Sequence, residues 1–265
     1  MESMTQEAKR KTDDSAWDTV KVIIQALLIA FVIRTFLFQP FNIPSGSMIP
    51  TLRIGDYLFV NKLSYGYGAY SFNFALNLFG TDIFKFGPVP IEGRFFAAGP
   101  ERGDVVVFKL PTDNETDYIK RVIGLPGDSI QVRDGIVYIN GEPIERERIA
   151  DFAEFDEMSY NQRIQQYRET LPNGTSYIVH DMSDKSPGDN TQEYLVPAGH
   201  YFMMGDNRDN STDSRWLDRV GYVPYENLVG RATIIFFSHR PDTSIFEVWK
   251  WPTAIRWDRL FLGVD

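Results

Sequence analysis

The sequence predicts a mainly β protein, in which a single N-terminal transmembrane helix is followed by a β-rich domain that carries an inserted β or helical subdomain. One long apolar run, residues 20–38, lies near the N-terminus. Beyond it, short segments of alternating apolar and polar residues are separated by Gly, Pro, Asp-Gly and Asn-Gly, a pattern typical of antiparallel strands and their turns. The 265 residues are enough for a hydrophobic core that folds without disulfides.

The composition excludes several classes of function. The net charge is -9, which argues against a nucleic-acid partner because phosphate binding needs a basic surface. The chain has no cysteine, so thiolate nucleophiles, zinc ribbons, iron–sulfur clusters and disulfides are excluded. His180, His200 and His239 are the only histidines, and they lack the spacing of a metal motif. We therefore expect neither a metal nor a cofactor.

The apolar run at residues 20–38 predicts a membrane-spanning helix. As a helix it is about 28 Å long, which matches the hydrocarbon core of a bilayer. Arg34 is costly inside a membrane but lies near one end, where its side chain can reach the interface. A removable signal peptide would show a small-residue cleavage site directly after the run, and residues 34–40 show none. An uncleaved anchor is therefore favoured over a signal peptide, and a buried helix of a soluble domain is the other alternative.

Flanking charges predict the orientation of this helix. The basic residues Lys9, Arg10 and Lys11 precede it and Lys21 lies at its N-terminal end, whereas Arg53 is the only basic residue in the twenty that follow it. Basic flanks stay in the cytoplasm. The prediction is a cytoplasmic tail at 1–19, a single span at 20–38 and an external, periplasmic domain at 39–265, so that the protein lies in the cytoplasmic membrane.

The external domain is predicted to be built from strands. Strand patterns occur at 56–62, 104–110, 117–123, 129–132, 136–139, 176–180, 200–204 and 231–237. Residues 150–170 are rich in Glu and Gln and predict a surface helix or an insertion. Residues 66–100 contain many aromatic residues interrupted by Gly and Pro, which suits either a β-rich part of the core or an apolar surface touching lipid. Residues 248–262 alternate aromatic and basic residues, as an interfacial segment or a packed tail would.

A small-residue loop at 44–52, held between two prolines, contains a candidate nucleophile. Ser47 follows the end of the apolar run by nine residues, so even a fully extended chain keeps it within about 30 Å of the bilayer. A serine hydroxyl becomes a good nucleophile only when a base takes its proton. The ordinary alternative is a turn in which Gly46 supplies a positive φ.

Lys120 is the candidate base. In a strand at 117–123 it shares a face with Tyr118 and Val122. Full burial of a lysine lowers its pKa by roughly 3 to 5 units and leaves a neutral amine near pH 7. The alternative is an edge lysine that reaches solvent or pairs with a carboxylate.

Residues 203–215 form a third stretch of interest, dense in short polar groups. As a calcium loop beginning at Asp206 or Asp209, it lacks the glycine at position 6 and the glutamate at position 12. What remains is a hydrogen-bonding loop that can orient a base or stabilise an oxyanion.

Three stretches together resemble the bacterial type I signal peptidases: PSGSMIPTLRIGDYLFVNKLSYG, then RGDVVVFKLP with DYIKRVIGLPGD, then GDNRDNSTDSR with GYVP. The resemblance covers the anchor and most of 39–150 and 195–237, and it is weaker at about 66–100 and 150–195. It implies a membrane-bound serine endopeptidase with a Ser/Lys dyad that removes signal peptides from exported preproteins after small-x-small (Ala-x-Ala) sites. The implied partners are signal peptides and membrane lipid.

The resemblance also implies roles for individual residues. Ser47 falls on the nucleophile and Lys120 on the general base, while Ser45 falls on the residue whose hydroxyl joins the Ser47 N–H in the oxyanion hole. Ser211 falls on a serine that orients the lysine, and Asp213 with Arg215 falls on a supporting ion pair. The residues implied to line shallow substrate pockets are Ile43, Met48, Leu52, Tyr118 and Ile119.

Two other functions fit parts of the sequence. A membrane-tethered β-domain that binds or assembles exported proteins would use Lys120 as an ordinary surface lysine. A Ser/Lys protein that cuts only itself would share the dyad. The sequence leaves open the preferred preproteins and the oligomeric state.

Overall fold

The structure, a computed structural model, describes residues 2–72, 74–78, 81–89, 93–153, 163–183, 185–241, 243 and 247–264. The predicted mainly β fold class with an N-terminal helix is confirmed. The strands are β1 (Phe38–Asn42), β2 (Asp56–Asn61), β3 (Phe74–Leu78), β4 (Thr81–Phe86), β5 (Val105–Lys109), β6 (Asp117–Gly124), β7 (Ser129–Arg133), β8 (Ile136–Ile139), β9 (Glu142–Pro143), β10 (Glu145–Ala153), β11 (Arg163–Thr170), β12 (Ser176–Asp181), β13 (Tyr194–Leu195), β14 (His200–Met204), β15 (Val223–Pro224), β16 (Leu228–Ser238) and β17 (Leu262–Gly263). The helices are α1 (Glu2–Phe36) and α2 (Trp251–Ala254), with 3₁₀ turns at Leu63–Tyr65, Ala69–Phe72, Tyr225–Asn227, Val248–Lys250 and Trp257–Arg259.

Helix α1 contains the stretch expected to cross the membrane. Its part Trp17–Phe36 is long and apolar enough to span a bilayer, and none of the most apolar portion is buried in the protein. An apolar surface of this size marks contact with a membrane or a partner. The helix extends beyond the apolar run on its N-terminal side, since it begins at Glu2, and it ends at Phe36, before Phe38 begins β1. The helix ends ahead of Pro40, whose ring and missing N–H oppose a further turn.

The main sheet is antiparallel and has the strand order β1-β2-β16-β5-β6-β14-β15, with β17 paired to β16. Val106 of β5 lies opposite Lys120 of β6. On the other side of β6, Met204 at the end of β14 lies opposite Arg121. The polar loop that follows β14 therefore emerges beside Lys120, although more than eighty residues separate them in sequence.

The inserted subdomain consists of strands where the structure describes it. Strands β10, β11 and β12 form an antiparallel sheet in that order. The helix alternative for 150–170 is therefore wrong at 150–153 and 163–170, while residues 154–162 lie outside the described residues. Glu and Gln favour helices in isolation, but pairing with β12, whose Tyr177 and Val179 are buried, overrides that preference.

The aromatic segment at 66–100 packs partly against the end of helix α1. Tyr67 and Phe72 stack near Phe36 at the end of α1, whereas Phe96 is exposed. Strands β3 and β4 of this segment form a hairpin, and the side chains of 73–86 lie outside the described set. Part of this segment thus supports the anchor and part faces outward.

The C-terminal segment exposes three of its aromatic side chains, while Trp251 packs against Phe237. Trp249, Trp257 and Phe261 are exposed, while Arg259 is buried and makes an ion pair with Asp56. A tail held only by apolar packing would show the opposite arrangement. This finding favours the interfacial alternative for residues 248–262.

Candidate active site

The loop that carries Ser47 is anchored by apolar residues on both sides. Met48 and Leu52 are 0% exposed, and Ile43 is also buried, in a cluster with strands of the main sheet. Each fully buried side chain of this kind stabilises the fold by roughly 1.5–3 kcal/mol. The Leu52 N–H donates to the Met48 carbonyl at 2.9 Å, which closes a turn directly after Ser47. Ser47 is held at the surface of the core and is 8% exposed.

Lys120 lies against Ser47. Its Nζ is 2.6 Å from Ser47 Oγ and donates to the Ile119 carbonyl at 2.9 Å. The side chain is 3% exposed, and the ammonium position is 5.4 Å from the centre of the Tyr118 ring. Among the described residues no carboxylate lies within ion-pair distance of this nitrogen. The alternative of a surface lysine paired with an acid is therefore wrong for this structure.

The surroundings of Lys120 favour its neutral form. Burial lowers the pKa of Lys120 to about 8, because a charged ammonium loses its hydration there. The more distant carboxylates of Asp213 and Asp206 raise this pKa, and Arg215 lowers it. A lysine with a pKa near 8 is partly deprotonated at neutral pH and can accept the Ser47 proton.

The loop after β14 holds the backbone of the Ser47 loop. The Asn207 N–H donates to the Ser47 carbonyl at 3.1 Å, and Asn207 Nδ2 donates to the Gly46 carbonyl at 3.0 Å. Sequence reasoning marked this loop as a hydrogen-bonding element but did not single out Asn207. Its only signal was its position in a run of short polar residues.

Gly205 allows this loop to approach Ser47 closely. A Cβ at position 205 would lie 2.5 Å from the Ser47 carbonyl oxygen and 2.2 Å from Ser211 Oγ. Only glycine fits such a gap without displacing the backbone. Ser211 Oγ is buried at this junction, and the Ser211 side chain lies close enough to Asp213 to help lower the pKa of that carboxyl. The structure thus brings Ser211 to the Ser47 loop but does not form the expected hydrogen bond to Lys120.

Asp213 and Arg215 form a buried ion pair. Arg215 Nε donates to Asp213 Oδ1 and Arg215 Nη2 donates to Oδ2, both at 2.9 Å. The Gly205 N–H adds a bond to Oδ2 at 3.0 Å. Burial opposes ionisation of Asp213, but the Arg215 guanidinium and these hydrogen bonds hold its pKa below the usual value. The pair ties the end of the loop to Gly205 at its start.

The residues expected to touch substrate are not equally accessible. Tyr118 and Ile119 are half-buried and Ser45 is exposed, so each offers surface beside Ser47. Ile43, Met48 and Leu52 are buried in the core cluster beneath the loop. In this structure these three support the loop from below, and their assignment to substrate pockets stays a prediction.

A second buried ion pair, which sequence reasoning missed, lies directly behind the dyad. Arg121 is 0% exposed and donates to Asp206 from Nε at 2.9 Å and from Nη2 at 2.7 Å. Thr51 Oγ1 donates to the same carboxylate at 2.5 Å, which links the Ser47 loop to the pair. The sequence signal was a second basic residue directly after Lys120, which alternation places on the opposite face of β6.

One acidic cluster lies outside this site. Carboxylate oxygens of Asp181, Asp189 and Asp209 lie within 4.8 Å of one another. Arg146 is paired with Asp181. Neither Ser47 nor Lys120 belongs to this cluster. Proton transfer from the Ser47 hydroxyl to the Lys120 amine does not involve these carboxylates.

Comparison with known proteins agrees with the geometry. Residues 16–237 match the family described as signal peptidase, peptidase S26. The chain is 40% identical over 250 residues to a signal peptidase I of Rickettsia typhi, covering 89% of each chain. It is 38% identical over 277 residues to a signal peptidase I of Rickettsia canadensis, covering 98% of this chain and 97% of the relative. A crystal structure of a signal peptidase I from Enterococcus faecalis V583 is 27% identical, with a TM-score of 0.29 and coverage of 51% of this chain and 97% of that chain. On the family match and these relatives, the chain belongs to the peptidase S26 family of signal peptidases.

Proposed function

We propose that this protein is a membrane-anchored serine endopeptidase that removes N-terminal signal peptides from exported preproteins after small-x-small sites. The observation that carries the proposal is the 2.6 Å separation between Ser47 Oγ and the buried amine of Lys120. Burying an ammonium without a carboxylate partner is costly. The function of a tethered binding domain does not require a desolvated lysine beside a serine, whereas a Ser/Lys protease requires one.

The reaction follows from the positions of these groups. The neutral Lys120 amine takes the Ser47 proton, and Ser47 Oγ attacks the scissile carbonyl carbon. The Ser47 N–H and the Ser45 hydroxyl stabilise the oxyanion. The Lys120 ammonium then protonates the leaving amine, and a water activated by the same lysine hydrolyses the ester. This cycle returns both residues to their starting state and needs no metal.

The remaining residues have supporting roles in this proposal. Asp213 and Arg215 hold the loop that carries Ser211 and Asn207. Ser211, buried beside Asp213, orients Lys120 when a side-chain rotation brings its hydroxyl to Nζ. Tyr118 and Ile119 contact the substrate beside the scissile bond.

The orientation of the protein is part of the proposal. Residues 1–19 lie in the cytoplasm, residues 20–38 account for the span, and residues 39–265 act on the outer face of the cytoplasmic membrane. The excess of basic residues before the apolar run supports this arrangement. A protease added to intact spheroplasts should then digest the domain beyond residue 38, whereas the opposite orientation would protect it.

Cleavage of a preprotein tests the activity directly. The purified full chain in detergent or lipid is expected to cut a preprotein with an Ala-x-Ala site once, after the second alanine. The matched substrate carries Trp in place of that second alanine and should stay whole, because a shallow pocket rejects a large side chain. Mass spectrometry of the products identifies the cleaved bond. Binding without cleavage across pH and lipid conditions would favour the tethered binding domain, and a shortened enzyme with intact preprotein would favour self-processing.

The pH dependence of turnover should report the state of Lys120. Because burial lowers the pKa of Lys120 to about 8, the active neutral amine becomes more populated as pH rises through that value. We expect kcat to rise about tenfold per pH unit below 8 and to level off above it. Initial rates between pH 6 and about 10 at saturating substrate measure this. A rate that is flat from pH 6 to 8 would contradict the role of Lys120 as the base.

A further inference from the structure

The inserted sheet continues directly into the loop that holds Ser47. The His180 N–H donates to the Asp206 carbonyl at 2.8 Å, and the Arg208 N–H donates to the His180 carbonyl at 2.9 Å. His180 and Asn207 form a parallel bridge. The end of β12 and the loop therefore share backbone hydrogen bonds, and a shift of one moves the other.

A buried ion pair stabilises the junction between the end of β12 and the loop after β14. Glu169 of β11 is 0% exposed and Arg208 is buried. Arg208 Nη1 donates to Glu169 Oε1 at 2.7 Å, Arg208 Nη2 donates to Oε2, and the Tyr177 hydroxyl also donates to Oε2 at 2.9 Å. A bidentate contact between a guanidinium and a carboxylate fixes the relative orientation of the two groups as well as their distance. Arg208 cannot rotate or slide while Glu169 holds both of its terminal nitrogens.

Arg208 is adjacent in sequence to Asn207, which holds the carbonyls of Ser47 and Gly46. Arg208 Nε also donates to the Gly205 carbonyl at 3.2 Å. The guanidinium thus contacts Glu169 on one side and the turn that approaches Ser47 on the other. This path of hydrogen bonds connects an insertion strand to the nucleophile.

We propose that Glu169 is a positioning residue for peptide-bond cleavage: through Arg208 and Asn207 it fixes the backbone of Ser47 and so the distance from Ser47 Oγ to Lys120 Nζ. The inference rests on the proposed function. It assigns a role in the reaction to the insertion, one of the two regions in which the three motif stretches do not lie.

Glu169 also contributes charge to the site. Its carboxylate contacts Arg208, Arg146 and the Tyr177 hydroxyl. The charge of Arg208 also interacts with that of Asp206. Lys120 is affected by Asp213, Asp206 and Arg215. Removing the Glu169 charge leaves the Arg208 cation unbalanced beside Asp206, so we expect a more positive potential at Lys120 and a lower pKa for its ammonium.

Glu169→Gln is the direct test, because it keeps the shape of the side chain and removes its charge. We expect kcat to fall about 10- to 100-fold, since small misplacements of reacting groups cost up to about 10² in rate. KM should stay within about twofold, and the acidic limb of the kcat profile should move to lower pH. A role confined to folding would lower Tm and leave the kcat of the folded enzyme and its pH limb unchanged.

The chain provides a matched control on the same two strands. Glu147 and Arg168 form an exposed ion pair between β10 and β11, one residue along from Glu169. Glu147→Gln removes the same charge by the same substitution and should leave kcat, KM and the pH profile as in wild type. If neither wild type nor Glu147→Gln cuts an Ala-x-Ala preprotein, the proposed function fails. If both cut and Glu169→Gln cuts equally well, the positioning role alone fails.

A second variant keeps the test decisive if Glu169→Gln does not fold. In the double variant Glu169→Gln/Arg208→Met neither charge remains, and removing both partners of a buried pair is often neutral for stability. Near-ultraviolet circular dichroism checks that this variant is folded. We expect its kcat to stay reduced, because the bidentate contact between Arg208 and Glu169 is lost. A wild-type kcat in the double variant would overturn the proposal.

Discussion

Lys120→Met is expected to reduce turnover by at least about 10²- to 10⁴-fold, because it removes the base that activates Ser47. Methionine has nearly the volume of lysine and suits a site that is 3% exposed, so the fold should be retained. Ser47→Ala should abolish turnover, since it removes the hydroxyl that Lys120 activates as the nucleophile. Ser45→Ala removes one oxyanion donor and should cost about 10²- to 10³-fold, leaving measurable activity.

Single-turnover cleavage of an Ala-x-Ala preprotein measures these three losses. Lys109→Met provides the control, because Lys109 lies on the neighbouring strand β5 and pairs with Asp117 at 2.9 Å. It should lose little activity. Equal losses for Lys120→Met and Lys109→Met, or a greater loss for Ser45→Ala than for Ser47→Ala, would contradict the assigned roles.

Arg121→Met is expected to lower the free energy of unfolding by about 3–5 kcal/mol, because it leaves a buried carboxylate without its cation. Asp206 is 1% exposed, and of the side-chain hydrogen bonds that the described residues make to its carboxylate only the one from Thr51 Oγ1 would remain. The same variant also loses the stacking of Arg121 on the Tyr177 ring, whose centre is 4.2 Å away. Denaturant titration of the full chain in detergent, followed by tryptophan fluorescence, measures the loss.

Arg168→Met is the matched control for stability. Its ion pair with Glu147 is exposed, and exposed pairs contribute less than about 1 kcal/mol. A similar shift for the two variants would show that burial of the Arg121–Asp206 pair has no special cost. Arg121→Met/Asp206→Leu should recover much of the stability, since it removes both charges.

Elements with strong local patterns were predicted well from the sequence. The strand predicted at 136–139 coincides with β8, and the one at 129–132 differs from β7 by one residue. The flanking turns explain this accuracy, because Asp134-Gly135 and Asn140-Gly141 all adopt the positive φ values that these dipeptides favour. The apolar run likewise lies in α1, apart from its last two residues.

Prediction was wrong where local preference and tertiary pairing disagree. The Glu- and Gln-rich residues of β11 form a strand because β10 and β12 supply backbone partners on its two sides, and β12 also supplies buried side chains. Met48 and Leu52 belong to the same short loop as Ser47, yet they pack in the core cluster beneath it. Neither result is visible in a short window of sequence.

The sequence by itself determined the anchor, most strands and the residue types of a Ser/Lys site, because periodicity and turn chemistry act over a few residues. Only the tertiary structure decided which groups meet. Ser47 and Lys120 are 73 residues apart in sequence, Arg121 and Asp206 are 85 apart, and Glu169 and Arg208 are 39 apart. Burial removes water from these pairs, and that desolvation, which depends on every strand around them, makes the lysine a base and the ion pairs rigid.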